Sequence, residues 1–242
     1  EGSIQHQYSN VTEVNGTKYV EALSYLKDLF LWDKNIGVKH EPIYDEAILF
    51  TDFNMFDTKI NNNVVRGISF TGRICETGAR TAIVEAGHYV QTVSSAAHEL
   101  GHSLGALHDG DGIATACDPK DYFIMSPFAK PNGPSEPYSI NPWRFSNCSV
   151  NSFKHTLEGK ECVKTRGQLY SMREWWMFMT KLSSQVFTPR EQCRLINGPN
   201  SVNCLTSPAD ACNILLCTDP VTSQCQTHYI SAPTGTECGV NK

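Results

Sequence analysis

The chain has 242 residues, 40% hydrophobic and 19% charged, with a formal net charge of −5. That length supports one sizeable core, or one core plus a small appended module. The acidic balance argues against nucleic acid as a partner, since phosphate binding needs clustered Lys and Arg, and no apolar run approaches the ~18–20 residues of a membrane span.

In chain order, residues 1–17 are polar and read as loop. No secretory leader is legible at Glu1, so a mature or trimmed form is expected. From Tyr19 to Phe30, Val20, Leu23, Leu26 and Phe30 recur at helical spacing. Ala47-Ile48-Leu49-Phe50-Thr51 reads as a buried strand. Val64 to Cys75 reads as a second, with Gly67 and Gly72 marking kinks or close backbone approach. Residues 92–104 form a helix. Five prolines between 126 and 142 (Pro127, Pro131, Pro134, Pro137, Pro142) make that stretch an irregular loop. Val150, Phe153 and Leu157 suggest a short helix after it.

The composition shifts near Gly167. Ser171-Met172-Arg173-Glu174 fits a capping box, and Trp175, Trp176, Met179 and Leu182 suit a connecting helix within 166–190. Aromatic residues at this spacing (Trp175, Trp176, Phe178) are more often core than exposed contacts. After Pro189 the chain is dense in cysteine. Of ten cysteines, Cys193, Cys204, Cys212, Cys217, Cys225 and Cys238 crowd the last fifty residues, and Cys75, Cys117, Cys148 and Cys162 are widely spaced. No C-x-x-C pair occurs, so a disulfide framework in an oxidising compartment is the better reading than a cysteine zinc site. Three sequons, at Asn10, Asn15 and Asn147, lean the same way. Secretion is expected.

The chemistry concentrates in "HELGHSLGALHDG", residues 98–110. Residues four apart stack on one helix face, so His98 and His102 present two imidazoles side by side. Glu99 is turned about 100° from His98, beside a metal without being forced to ligate it. There it can act as general base on a zinc-activated water. Gly105 suits a left-handed helix end, which lets His108 swing back as a third ligand. Three protein ligands with an open fourth position describe a catalytic zinc site, not a closed structural one. Val93, Ala97, Leu100 and Leu104 fall on other faces and are expected to pack inward.

A His pair on a helix is often only a solvated face, and HExxH alone arises by chance. The full HExxHxxGxxH pattern fixes five positions over eleven residues, which makes coincidence a poor explanation. His6, His40, His88, His155 and His228 have no such pattern and read as surface or packing residues.

"HELGHSLGALHDG" followed by "IMSP" at 124–127 resembles the metzincin metalloproteases, whose zinc lies above a methionine-containing turn; Met125 matches that turn. Asp109, next to the third His, is similar to the adamalysin or reprolysin branch, which includes the ADAM, ADAMTS and snake-venom enzymes. "RGISFTGRIC" at 66–75 resembles the edge strand over the cleft, and "FSNCS" at 145–149 the segment that closes the domain. This combination is most like secreted arthropod enzymes of saliva or venom. "GQLYS", "QCRLINGP", "LLC", "CQT" and "APTGTECG", from residue 167 on, resemble the ADAMTS disintegrin-like and cysteine-rich region. The likeness covers about residues 40–242. Fewer residues precede His98 than such a domain normally has, so an abbreviated or partial N-terminal part is expected.

The resemblance implies an α/β (α+β) metzincin catalytic domain over 1–165, with a twisted mixed sheet and a zinc-bearing helix. A linker helix over 166–190 and a disulfide-rich module over 191–242 would follow. It implies a secreted zinc endopeptidase acting on extracellular proteins such as those of matrix or blood, with one Zn2+, as a monomer. Calcium is a further candidate cofactor to which no residue is assigned. A substrate would lie along Gly67, Ile68, Ser69 and Phe70, with Ser126, Pro127 and Phe128 walling the cleft and Met125 as packing floor. Cys117–Cys148 and Cys75–Cys162 are the expected bridges of the catalytic part; the six later cysteines allow fifteen pairings. The competing reading is an inert protease scaffold that binds through its tail, and the intact His98, Glu99, His102 and His108 weigh against it.

Overall fold

A computed structural model describes residues 11–36, 44–58, 65–86, 89–128, 141–164, 188–204 and 215–227. Asn10, the proposed Trp175–Trp176 helix, most of the proline-rich loop, and Cys212 and Cys238 lie outside the described residues. The chain divides into two compact units. Apart from Tyr89 and Val90, the described residues up to Lys164 belong to the larger, and those from Thr188 on belong to the smaller.

The stretch read as N-terminal loop contains a hairpin. Strands β1 (Thr12–Val14) and β2 (Thr17–Glu21) pair antiparallel across Asn15-Gly16, both at positive φ as a two-residue primed turn requires. β1 is exposed on every residue, so it carries no apolar alternation to betray it. Tyr19 and Val20 are therefore strand, not helix, and α1 starts later (Ala22–Ile36). Thr-Lys-Tyr-Val is a β-prone run, and the helical spacing that begins at Val20 belongs to the helix only from Ala22 on. α1 buries Ala22, Tyr25, Leu26 and Leu29 at i, i+3, i+4 and i+7. They meet Val20, Met55 and Ile83 in the main core.

Four further strands complete two mixed sheets: β3 (Ala47–Thr51), β4 (Asn54–Phe56), β5 (Gly67–Ser69) and β6 (Thr81–Glu85). One sheet runs β1-β2-β4 and the other β3-β6-β5. β3 is not buried throughout, since Phe50 is half exposed. β6 is central, parallel to β3 and antiparallel to β5, and Thr81 to Val84 are all buried. Among the described residues of the run from Val64 to Cys75, only Gly67–Ser69 is strand; Gly72, at φ 71°, turns the chain away.

The turn that leads into β6 is pinned to α1 by a buried ion pair. Arg80 Nε stands 3.2 Å from Asp33 Oδ2, and Asp33 also accepts from Tyr44 Oη and the Gly78 N–H. Burial and the Asp33 carboxylate push the Tyr44 hydroxyl up to about 12. Two disulfides, Cys75–Cys162 and Cys117–Cys148, close the larger unit, and α3 (Asn147–Leu157) packs its buried Ser149 and Ser152 inward.

In the smaller unit α4 (Pro189–Asn197) begins with a capping box between Thr188 and Glu191. A hairpin follows, β7 (Leu216–Thr218) with β8 (Cys225–Thr227). The bridges Cys193–Cys217 and Cys204–Cys225 tie this unit together, and its buried apolar cluster is Cys193, Leu215 and Cys217. Among the described residues of this unit, two of the three members of that cluster are half-cystines.

Candidate active site

Helix α2 (Tyr89–Ser103) carries His98, Glu99 and His102 in its last turns. Val93 on the same helix is 42% exposed, so it does not pack inward. The helix stops at Gly105, whose φ is 98°. Gly105 N–H donates to His102 O (2.7 Å) and Ala106 N–H to Gly101 O (2.9 Å), the paired bonds of a left-handed glycine cap. The Thr156 side chain of α3 occupies the space a Cβ on Gly105 would need. Glycine is thus required twice over. The loop beyond β5 takes up the helix's last carbonyls: Gly72 N–H donates to His102 O (2.8 Å) and Ile74 N–H to Ser103 O (3.2 Å).

The reversal brings three imidazoles together. His108 Nε2 lies 3.2 Å from His98 Nε2 and 3.2 Å from His102 Nε2. His98 Nδ1 donates to Ile124 O (2.7 Å) and His102 Nδ1 to Ala106 O (2.8 Å). A neutral imidazole has one donor nitrogen and one acceptor, so both Nε2 atoms present lone pairs. A single hydrogen on His108 could serve only one of them. A cation between the three rings satisfies all. With zinc–nitrogen bonds of about 2.0–2.1 Å, tetrahedral ligands stand about 3.3–3.4 Å apart. The residues present fit a zinc ion. Burial lowers the pKa of all three histidines, that of His98 to about 4, so they stay neutral and ligand-competent at pH 7.

Glu99 is 5% exposed. Its carboxylate lies against Gly67 of β5, where an added Cβ would stand 2.5–2.8 Å from Oε1, Cγ and Cδ. Ser69 Oγ lies 2.8 Å from Glu99 Oε2 and 3.0 Å from Glu99 O, positioned to donate to either. Burial raises the Glu99 pKa to about 7, with the Ser69 hydroxyl opposing it. β5 is an outer strand of its sheet. Ile68 and Phe70 pack partly against the core, so the strand is anchored from behind.

Met125 is fully buried, with its sulfur beneath Gly101. The backbone of its turn supports the histidines: Ile124 O holds His98, and Met125 O accepts from the Asp109 N–H at 2.9 Å. Ser126 is only 9% exposed, and its hydroxyl donates to Pro119 O (2.8 Å) within its own loop. Pro127 and Phe128 are exposed beside it. His155 is exposed on α3, and the other four histidines outside the motif lie outside the described residues.

Three contacts had no signal in the sequence. Ser69 meets Glu99. Asp109 accepts from Ser146 Oγ (2.6 Å), the residue that caps α3, which ties the third histidine's loop to that helix. Glu46 accepts from Ser103 Oγ at 2.7 Å, one residue beyond His102. Each pairs residues more than 35 positions apart or across separate elements, and no local pattern reports such a pairing. Sequons differ too: Asn15 is exposed at a hairpin tip, whereas Ser149 of the Asn147 sequon is buried and Cys148 is bridged.

Residues 14–165 match the reprolysin (M12B) family of zinc metalloproteases, and residues 184–242 match ADAMTS cysteine-rich domain 2. The first match includes β2 and α1, so the likeness begins well before residue 40. Among curated relatives, "A disintegrin and metalloproteinase with thrombospondin motifs 20" of Homo sapiens is 27% identical over 88% of this chain and 11% of its own length. The motifs 7 protein of Rattus norvegicus is 29% identical, over 90% of this chain and 13% of its own. A "motifs like" protein of Bombyx mori is 30% identical, over 82% of this chain and 29% of its own. The chain thus spans between about a tenth and a third of these relatives.

Proposed function

The chain belongs to the reprolysin (M12B) family of zinc metalloproteases, and from that premise we propose that it is a secreted endopeptidase cutting extracellular proteins with Glu99 as general base. The convergence of three Nε2 atoms at 3.2 Å, with the Glu99 carboxylate on the next helical position, carries this reading. His98, His102 and His108 would hold one zinc ion. When bound, it supplies a Lewis acid for the scissile carbonyl and brings the pKa of water towards neutrality.

The chain's own residues divide the remaining tasks. Ile124 O and Ala106 O fix two rings in the tautomer that keeps Nε2 free. The outer edge of β5, which pairs with no other strand among the described residues, offers backbone groups to which an extended peptide can add as a strand. Glu99 takes the proton of the attacking water and returns it to the departing amine. Its position supports this: the carboxylate is buried one residue from His98, with Ser69 Oγ 2.8 Å from Oε2. Four disulfides among the described residues support an oxidising compartment, and none of the described helices is long and apolar enough to cross a membrane.

Metal analysis with cleavage profiling on a peptide library, with and without a chelator, tests the proposal. Cleavage that needs stoichiometric zinc supports it. Undiminished cleavage after complete metal removal contradicts it.

A further inference from the structure

The Glu99 side chain is held from the substrate side as well as from its own helix. β5 meets it with two different devices. Gly67 contributes absence, because any side chain there would displace the carboxylate. Ser69, on the same strand face two residues on, contributes a hydroxyl at 2.8 Å from Oε2. Ile68 between them packs towards the core, which fixes the strand's rotation and so the direction in which Ser69 points. The same hydroxyl lies 3.0 Å from Glu99 O, so β5 grips both the backbone and the side chain of this residue.

We infer that Ser69 is a positioning residue for Glu99: its hydroxyl engages Oε2 and leaves Oε1 as the oxygen that faces the reacting water. An unrestrained glutamate samples several staggered χ rotamers, and an anionic carboxylate gains more from a donor than a neutral group does. Without the hydroxyl, the carboxylate would keep its place on the helix and lose its orientation. The inference rests on the protease reading above and adds a residue to it. Ser69 does not touch the metal ligands' Nε2 atoms, so zinc binding should not depend on it.

The test is a set of four variants. Ser69→Ala should lower kcat by about tenfold or more, the loss of one hydrogen bond to a charged group, with KM, zinc content and thermal midpoint little changed. Ser69→Thr keeps a hydroxyl on a strand-compatible side chain and should recover most of the rate. In the metal-free protein labelled with 13C-glutamate, the Glu99 carboxyl resonance is identified by its absence in Glu99→Gln. It should move in Ser69→Ala and return towards its position in Ser69→Thr. An unmoved resonance with unchanged kcat overturns the inference. So does a rate loss that tracks lost zinc or a lowered midpoint, because that would make Ser69 merely structural. Glu99→Ala is the control: if it retained full activity, the protease reading itself would fail, whatever Ser69 does.

Discussion

Gly101 and Met125 touch so closely that a Cβ on Gly101 would collide with the methionine sulfur and stand 3.0 Å from Phe145 Cε1. The glycine lies between His98 and His102 in sequence, against the buried Met125. Gly101→Ala should cost about 1–3 kcal/mol through overpacking and should loosen zinc, because α2 must lift from the turn that holds His98. Denaturant unfolding with metal titration measures both. An alanine variant of wild-type stability and metal affinity would refute the close packing.

Gly105→Ala tests the reversal that delivers His108. The residue sits at φ 98° against the Thr156 side chain, so alanine is strained and crowded together. Stability should fall by more than the ~1 kcal/mol that a left-handed alanine alone costs. Gly105→Ala with Thr156→Ala should recover the crowding part only. The double-variant comparison separates the two causes, and strict additivity would show that the contact is immaterial.

These two glycines illustrate what was legible. The pattern of His98, Glu99, His102, Gly105 and His108 is local, because helix periodicity and a cap fix it within eleven residues. α2, α3 and β3 were readable for the same reason, from their own spacing. β1 was not, since all three of its residues face solvent, and β6 escaped because four successive buried residues show no alternation. α4 was obscured in a different way: the residues described as buried on it are Gln192 and Cys193. Contacts such as Ser69 to Glu99 depend on sheet register, which no single stretch contains.

Glu46 predicts a pH dependence. Burial raises its pKa from 4.5 to about 7; Asp33 adds to the rise, and Ser103 and Arg80 oppose it. Its Oε2 is buried without a hydrogen-bond partner. The folded state therefore holds this proton more tightly than the unfolded one. The stabilising contribution is complete below the unfolded value and disappears as pH rises through about 7. Glu46→Gln should match wild type near pH 4 and exceed it at pH 8, by about 1–3 kcal/mol. Urea unfolding at both pH values measures the difference. A difference that stays flat with pH would contradict the protonated carboxyl.

The smaller unit should depend on its bridges. Among its described residues the buried apolar cluster is Cys193, Leu215 and Cys217. Replacing Cys193 and Cys217 with Ala should remove about 3 kcal/mol, the entropy cost of freeing a loop of this length. Amides of α4 and β7 should then exchange at nearly unprotected rates, while β6 in the larger unit stays protected. Native protection across α4 in the double variant would show that packing suffices.

The most direct test of the central claim is the X-ray absorption spectrum at the zinc edge of the purified, zinc-loaded chain. Nitrogen ligands at about 2.0–2.1 Å, one zinc per chain, and loss of that signal in His98→Ala, His102→Ala and His108→Ala are the predicted result. Zinc bound through sulfur, or a signal indifferent to all three substitutions, would contradict the account.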